Sequence, residues 1–405
     1  MVHNGSYSQL ELMQARVKIV PNEWAFNYVG KTFSIKNNLR KPINEDEREK
    51  NPGIYPYYGP TKIQGYISTF EQDGSYALIG EDGDHFLKYE SQPMTQLVDG
   101  KCTVNNHAHI IEGTNKATRE WFYYYFMHRD IFSFLSRQGA SRYKLNKASL
   151  EKIPLLVPPV QEQNKIAQIL STWDKAITSN ELLLANSQQQ KKSLMQQLLT
   201  GKKRLLDSNG MRFSGEWKPY NLSDIAIIIM GSSPKSEAYN EDGVGLPLLQ
   251  GNADVKNRKS APRIFTSEIT KECAIGDILL SVRAPVGTVA ISEHKACIGR
   301  GIAAIKAKRK FDQDFIYQWL LWFEKRWCSL SQGSTFESIN SDDIKQLIIR
   351  VPDFGEQVKI AAVLSTADQE ISVLQHKLDA LKQEKKALMQ QLLTGKRRVK
   401  VEAAA

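Results

Sequence analysis

Residues 162–204 read EQNKIAQILSTWDKAITSNELLLANSQQQKKSLMQQLLTGKKR, and residues 356–398 read EQVKIAAVLSTADQEISVLQHKLDALKQEKKALMQQLLTGKRR. The second stretch follows the first at an offset of 194 residues without a gap, and 24 of the 43 positions are identical. Each carries an apolar seam at 3–4 spacing, the signature of a helix that pairs with another. In the first copy the seam is Ile166, Leu170, Trp173, Ile177, Leu184, Leu194 and Leu198; in the second it is Ile360, Leu364, Ile371, Leu374, Leu378, Leu381, Leu388 and Leu392. Asn180 and Ser187 interrupt the first seam, and Lys191 and Lys385 interrupt both at one register. Neither stretch contains proline; each starts after VPP or VPD and stops at Thr-Gly-Lys, with Gly201 and Gly395 placed as C-terminal caps. About 38 residues at ~1.5 Å each predict two rods near 57 Å. The leucines, isoleucines and Trp173 from Leu170 and Leu364 onward are the predicted helix-pair interface.

The same offset extends upstream. QGASRYKLNKASLEKIPLLVPPV from Gln138 matches QGSTFESINSDDIKQLIIRVPDF from Gln332; the aromatic stretch near Trp121 matches that near Phe315; KCTVNNHAHII from Lys101 matches KACIGRGIAAI from Lys295. Each half opens alike, with NEWAFNYVG at Asn22 and GEWKPYNLSD at Gly215. Short strand-like runs such as DILLSV and QLIIRVP lie among Gly- and Pro-rich turns, which predicts mixed α and β domains. The order is domain (1–158), helix (159–204), domain (205–353), helix (354–400). The rods are nearly equal while the domain loops differ. Equal rods would offer one kind of partner two equivalent seats with pseudo-twofold symmetry, and unlike domains would recognise unlike targets.

With 405 residues and 41% apolar content the chain has room for two or three cores. A net charge of +10 favours a polyanionic partner only weakly. No apolar run reaches the ~18 residues of a membrane span. The N-terminus lacks the basic and apolar regions of a secretory signal, and Cys102, Cys273, Cys297 and Cys328 are scattered, so a reduced cytoplasmic location is expected.

The LMQQLLTGK ending, the V-P-x-x-x-EQ-x-KIA entry, the QG-[AS]…N…V-P domain end, GIYPYYG and GDILLSVRAPVG together resemble the specificity subunit of type I restriction–modification systems, over nearly the whole chain. The resemblance implies two target-recognition domains on an α+β fold, each reading one half of an interrupted double-stranded DNA site. It implies that two long antiparallel coiled-coil helices separate them. It also implies two docked methyltransferase subunits, and restriction subunits in the full complex. S-adenosylmethionine, ATP and magnesium would belong to those partners, with no cofactor or metal in this chain and no membrane.

Candidate DNA-contacting residues lie in polar or basic loops. Tyr57 and Tyr58 stand in a Gly/Pro loop, with Lys62 beyond. Asn105, Asn106 and His107 form a turn that is structural or faces bases. Arg142 and Lys144 lie within the motif that starts at Gln138. Gln250, Asn252, Lys256, Arg258 and Lys259 lie in QGNADVKNRKSAPR, a solvated loop or a DNA loop, with Arg283 and Arg300 later in the same half. Amides pair with adenine and guanidinium with guanine.

Other motifs read blandly. AFNYVGKT (25–32) has Ala25 where a phosphate loop needs glycine. TGKK and TGKR are glycine caps with cations at the negative helix end, with phosphate or partner contact as a further possibility. Cys102, His107 and His109 lack metal-site counterparts in the second half, where Ala296, Gly301 and Ala303 stand. The aromatic helices are core. No methyltransferase NPPY or DPPY occurs, and Pro352-Asp353…Glu356 lacks the following nuclease lysine. The chain is therefore expected to be no enzyme. The alternative function is a coiled-coil assembly protein whose domains bind protein.

Overall fold

Hydrogen bonding and packing divide the chain into two units. Unit 1 combines the N-terminal residues to Asn180 with those from Lys377 onward, and unit 2 runs from Glu181 to His376. The computed structural model describes residues 7–138, 142–327 and 338–401. Cys328, residues 139–141 of the Gln138 motif and residues 332–337 of its counterpart lie outside the described residues.

Unit 1 begins with α1 (Gln9–Gln14) and β1 (Ala25–Tyr28). Its sheet contains β2 (Ser34–Ile35), β3 (Pro52–Tyr58), β4 (Ile63–Ile67), β5 (Gln72–Gly80), β6 (Thr95–Val104) and β7 (Ala108–Glu112), in the order β2-β7-β5-β6-β3-β4. The aromatic helix α2 (Arg119–Phe126) follows, capped by the Thr118 hydroxyl, which accepts from the Trp121 N–H at 3.1 Å. Trp121, Phe122, Tyr124, Tyr125 and Phe126 are all buried, as periodicity predicts for a core helix. β8 (Pro154–Val157) pairs antiparallel with β1 and leads into α3 (Val160–Leu198).

Unit 2 repeats the plan. β9 (Lys218–Asn221) precedes a six-stranded sheet of β10 (Ala226–Met230), β11 (Val255–Lys256), β12 (Lys259–Ser260), β13 (Ile278–Ser281), β14 (Val289–Ile291) and β15 (Ile302–Ala307), in the order β10-β15-β13-β14-β12-β11. Unit 2 also has a second sheet, of five strands; the further sheet described in unit 1, formed by residues 82–83, 136–138 and 142–144, has three. Helix α4 (Gln313–Phe323) is capped by Asp312, buries Phe315, Trp319 and Phe323, and leads on to β16 (Ile348–Val351), which pairs with β9. Helix α5 (Phe354–Leu392) closes the chain.

Both long helices have 39 residues. Of the predicted interface, Leu170, Leu184, Leu198, Leu364, Leu378 and Leu392 are buried, while Trp173, Ile177, Leu194, Ile371, Leu374, Leu381 and Leu388 are half-buried. The ends of the seam serve the domains as well: Ile166, Leu170 and Leu392 join the core of unit 1, and Leu198, Ile360 and Leu364 join that of unit 2. Full burial of each such leucine contributes about 1.5–3 kcal/mol. A charge at Leu198 or Leu392 is therefore expected to unfold its domain along with the helix pair. Among the described residues no helix is long and apolar enough to cross a membrane.

Candidate nucleic-acid interface and its helix scaffold

The Glu-Gln pair that opens each helix ties it to its domain. In unit 1 the buried Glu162 carboxylate accepts from Arg398 Nε (2.7 Å) and Nη2 (2.8 Å) and from the Trp24 indole N–H (2.8 Å). In unit 2 Glu356 accepts from Arg204 Nε (2.7 Å) and Nη2 (2.6 Å). Trp217, the counterpart of Trp24, leaves its indole N–H without a hydrogen-bond partner among the described residues. Each arginine stands just beyond the end of one helix and each glutamate at the start of the other, so the helix segments within each unit are antiparallel. Gln163 and Gln357 accept from the Thr118 and Asp312 backbones, both at 2.9 Å, and donate to the Pro158 and Pro352 carbonyls. Gly201 (φ +69°) and Gly395 (φ +68°) end the helices in the left-handed conformation, as expected of glycine caps.

The lysines that interrupt the seams have partners that sequence reading left unassigned. Lys191 reaches Asp368 at 2.5 Å, and Gln318 donates to the same carboxylate at 2.8 Å. Lys385 reaches Asp174 at 2.5 Å, and the Tyr124 hydroxyl donates to it at 2.9 Å. Burial and Asp174 together push the Tyr124 phenol well above its ordinary range.

In unit 1 the predicted site residues separate by burial. Tyr57 is a correction: it is fully buried, its hydroxyl accepts from the Ile43 N–H (2.9 Å), and it cannot meet a duplex. Adjacent strand residues face opposite sides, so Tyr57 and Tyr58 could not both point outward. Tyr58 is half-buried, and its carbonyl accepts from the Asn105 N–H at 3.0 Å. Asn105 is also inward: its amide donates to Gln64 (3.2 Å) and its side-chain oxygen accepts from the His107 N–H (2.5 Å). It shapes the turn that exposes Asn106 and leaves His107 half-exposed beside Asp82 (2.7 Å). Lys144 contacts Glu81 (3.2 Å), which also pairs with Arg40. Burial raises the Glu81 pKa, but Arg40, His109 and Lys144 outweigh it and hold the carboxyl below its ordinary value. Lys62 and Arg142 are exposed.

In unit 2, Gln250, Arg283 and Arg300 line one cleft of about 560 Å³ with Ser233, Ser236 and Tyr239. The three hydroxyl residues come from GSSPKSEAY (231–239), whose Gly/Ser/Pro content is an ordinary turn signal. Lys256 is exposed beside the β11–β12 turn, where Asn257 and Arg258 have φ of +50° and +63°. Asn252 is half-buried at the foot of that hairpin. Arg258 is held by Glu324 through two hydrogen bonds and by the Val289 carbonyl (3.1 Å), and Lys259 by Glu293 (2.5 Å). Their charges are largely met within the protein.

Two domains with unlike loop faces on one duplicated, antiparallel helix scaffold define a two-domain recognition subunit. The family profile described as the type I restriction modification DNA specificity domain matches twice, at residues 21–186 and 214–383, and the chain belongs to that family. It is 30% identical to the MjaX specificity subunit ascribed to a type I restriction enzyme of Methanocaldococcus jannaschii, covering 97% of this chain and 98% of that protein. A Haemophilus influenzae protein with the same ascription is 27% identical, over 82% and 84% of the two chains. The crystal structure of a type I restriction–modification S subunit from M. genitalium has the same fold, with a TM-score of 0.66, 17% identity, and 94% and 98% of the two chains covered.

Proposed function

We infer that this chain is the DNA-specificity subunit of a type I restriction–modification complex, reading an interrupted, asymmetric duplex site with one half per domain. The observation that carries this is the contrast within the repeat. The Glu–Arg clasp, the Gln tie and the Lys–Asp pair recur at one 194-residue offset, while loop positions at the same offset carry different residues, such as Asn105 and Asn106 against Gly299 and Arg300. Identical scaffolds suit two copies of one partner, and unlike loops suit two unlike half-sites.

We propose that two methyltransferase subunits dock on the helices and that restriction subunits join through them in the cytoplasm. On this reading the chain itself makes and breaks no covalent bond. S-adenosylmethionine is used by the methyltransferase partner, and ATP and magnesium by the restriction partner.

Mapping methylated positions in DNA from cells that carry the complete system tests the proposal. An interrupted site with two different halves is the expected result. A continuous site, or a true palindrome, would overturn it.

A further inference from the structure

We propose that the cleft of unit 2 is a phosphate seat: Arg283 and Arg300 grip a DNA strand through its backbone and position the domain, while neighbouring projecting loops read the bases. The proposal rests on the reading of this chain as a DNA-recognition subunit.

The first support is charge. Arg258, Lys259, Arg263 and Lys295 of this unit are each paired with a carboxylate: Glu324, Glu293, Asp254 and Glu272. Arg283 and Arg300 are exposed, line the same cleft, and have no carboxylate partner among the described residues. Two guanidinium groups on one concavity, with no acid beside them among the described residues, attract an anion.

The second support is rigidity. The Ser233 hydroxyl accepts from the Arg300 N–H (3.1 Å), and the Gly231 and Ser232 N–H groups donate to the Ile302 and Ile298 carbonyls, both at 2.9 Å. The Ser281 hydroxyl donates to the Arg283 carbonyl at 3.0 Å. Both cations therefore stand on backbone that is already ordered before DNA arrives.

The third is shape. The outward ridges of a duplex are its sugar–phosphate strands, whereas base edges lie on a groove floor about 8.5 Å deep. A concave wall of guanidinium and hydroxyl groups meets a ridge, and such groups are ordinary phosphate ligands. The β11–β12 hairpin, with Lys256 and Asn257 exposed at its turn, has the projecting form that groove entry needs.

Unit 1 lacks this device at the matching turn. Asn106 stands where unit 2 has Arg300, and Arg40, which donates to the Asn106 carbonyl (2.9 Å), is neutralised by Glu81.

The test uses the full chain with its methyltransferase subunits and a random-sequence duplex pool. Affinity is measured from 50 to 200 mM salt, and selected sequences are read. Each lost phosphate contact lowers the log–log salt slope by about 0.9, so R283Q/R300Q is expected to lose about 1.8. That variant then loses about twelve times more affinity at 50 mM than at 200 mM salt, and its selected half-sites are unchanged. R283K/R300K keeps the charge and is expected to keep most of the slope. A changed base preference with an unchanged slope would make these residues base readers and overturn the proposal. Unchanged affinity would remove the cleft from the interface. A wild-type complex that selects no sequence would instead overturn the functional reading.

Discussion

Lys385 Nζ lies 2.5 Å from Asp174 Oδ1, and the same pair recurs 194 residues away as Lys191 and Asp368, also at 2.5 Å. Both lysines occupy seam positions that an apolar side chain would otherwise fill, and their side chains are only 11% and 12% exposed. Removing one carboxylate strands a nearly buried ammonium, which costs more than the pair itself contributes. Because the aspartates are partly exposed, D174N or D368N is expected to cost roughly 1–3 kcal/mol. The combination D174N/K385M should recover much of that loss. Denaturant unfolding of the four proteins checks it, and a fully stable single variant would mean that Lys385 finds water or another partner.

The first long helix and the turn just beyond it carry both members of each clasp: Asp174 and Lys191, Glu162 and Arg204. In the intact chain each instead finds its partner on the second helix or just beyond it. A chain ending near residue 206 therefore holds what it needs to pair antiparallel with a second copy. Sedimentation is expected to show a dimer. R204E should weaken that dimer sharply, because two glutamates would then meet at each end. A stable, folded monomer of the half-chain would show that the clasps alone do not drive pairing.

Half-site specificity should be separable. Replacing residues 210–350 with the corresponding segment of a relative is expected to change one half of the methylated site and leave the other. Sequencing of methylated DNA reads this directly. Simultaneous change in both halves would mean that the domains do not read independently.

The first helix should act as a ruler on DNA. Four residues added between Thr178 and Gln188 lengthen it by ~6 Å and nearly preserve its apolar face. At ~3.4 Å per base pair this lengthening equals between one and two base pairs, so the unspecified gap is expected to grow by about one base pair, or somewhat more if the partners follow, with both half-sites unchanged. Two added residues turn the seam by roughly 200° and should abolish assembly. An active four-residue insertion with the original gap would show that another element sets the spacing.

The long helices, their caps and the duplication were legible in the chain because they rest on local periodicity. A 3–4 apolar spacing, no proline, and a glycine at each end leave few alternatives. The aromatic helices were legible as core for the same reason. Tyr57 was misread because a Gly/Pro-rich stretch looks like a loop, whereas the chain forms strand β3 and turns that ring inward.

What only the tertiary structure decided is which charges are free. Arg258 looks as available as Arg283 along the chain, yet Glu324, 66 residues later, holds it in two hydrogen bonds. Lys144 and Arg40 converge on one Glu81 from opposite sides in sequence, while Arg283 and Arg300 converge on an open cleft with no acid among its described lining residues. The duplicated helix sequences set the helices' length and seam; the fold set their pairing and the polarity of each recognition face. Periodicity is a property of neighbours in sequence. Charge compensation depends on separations of a few ångströms between residues that only folding brings together.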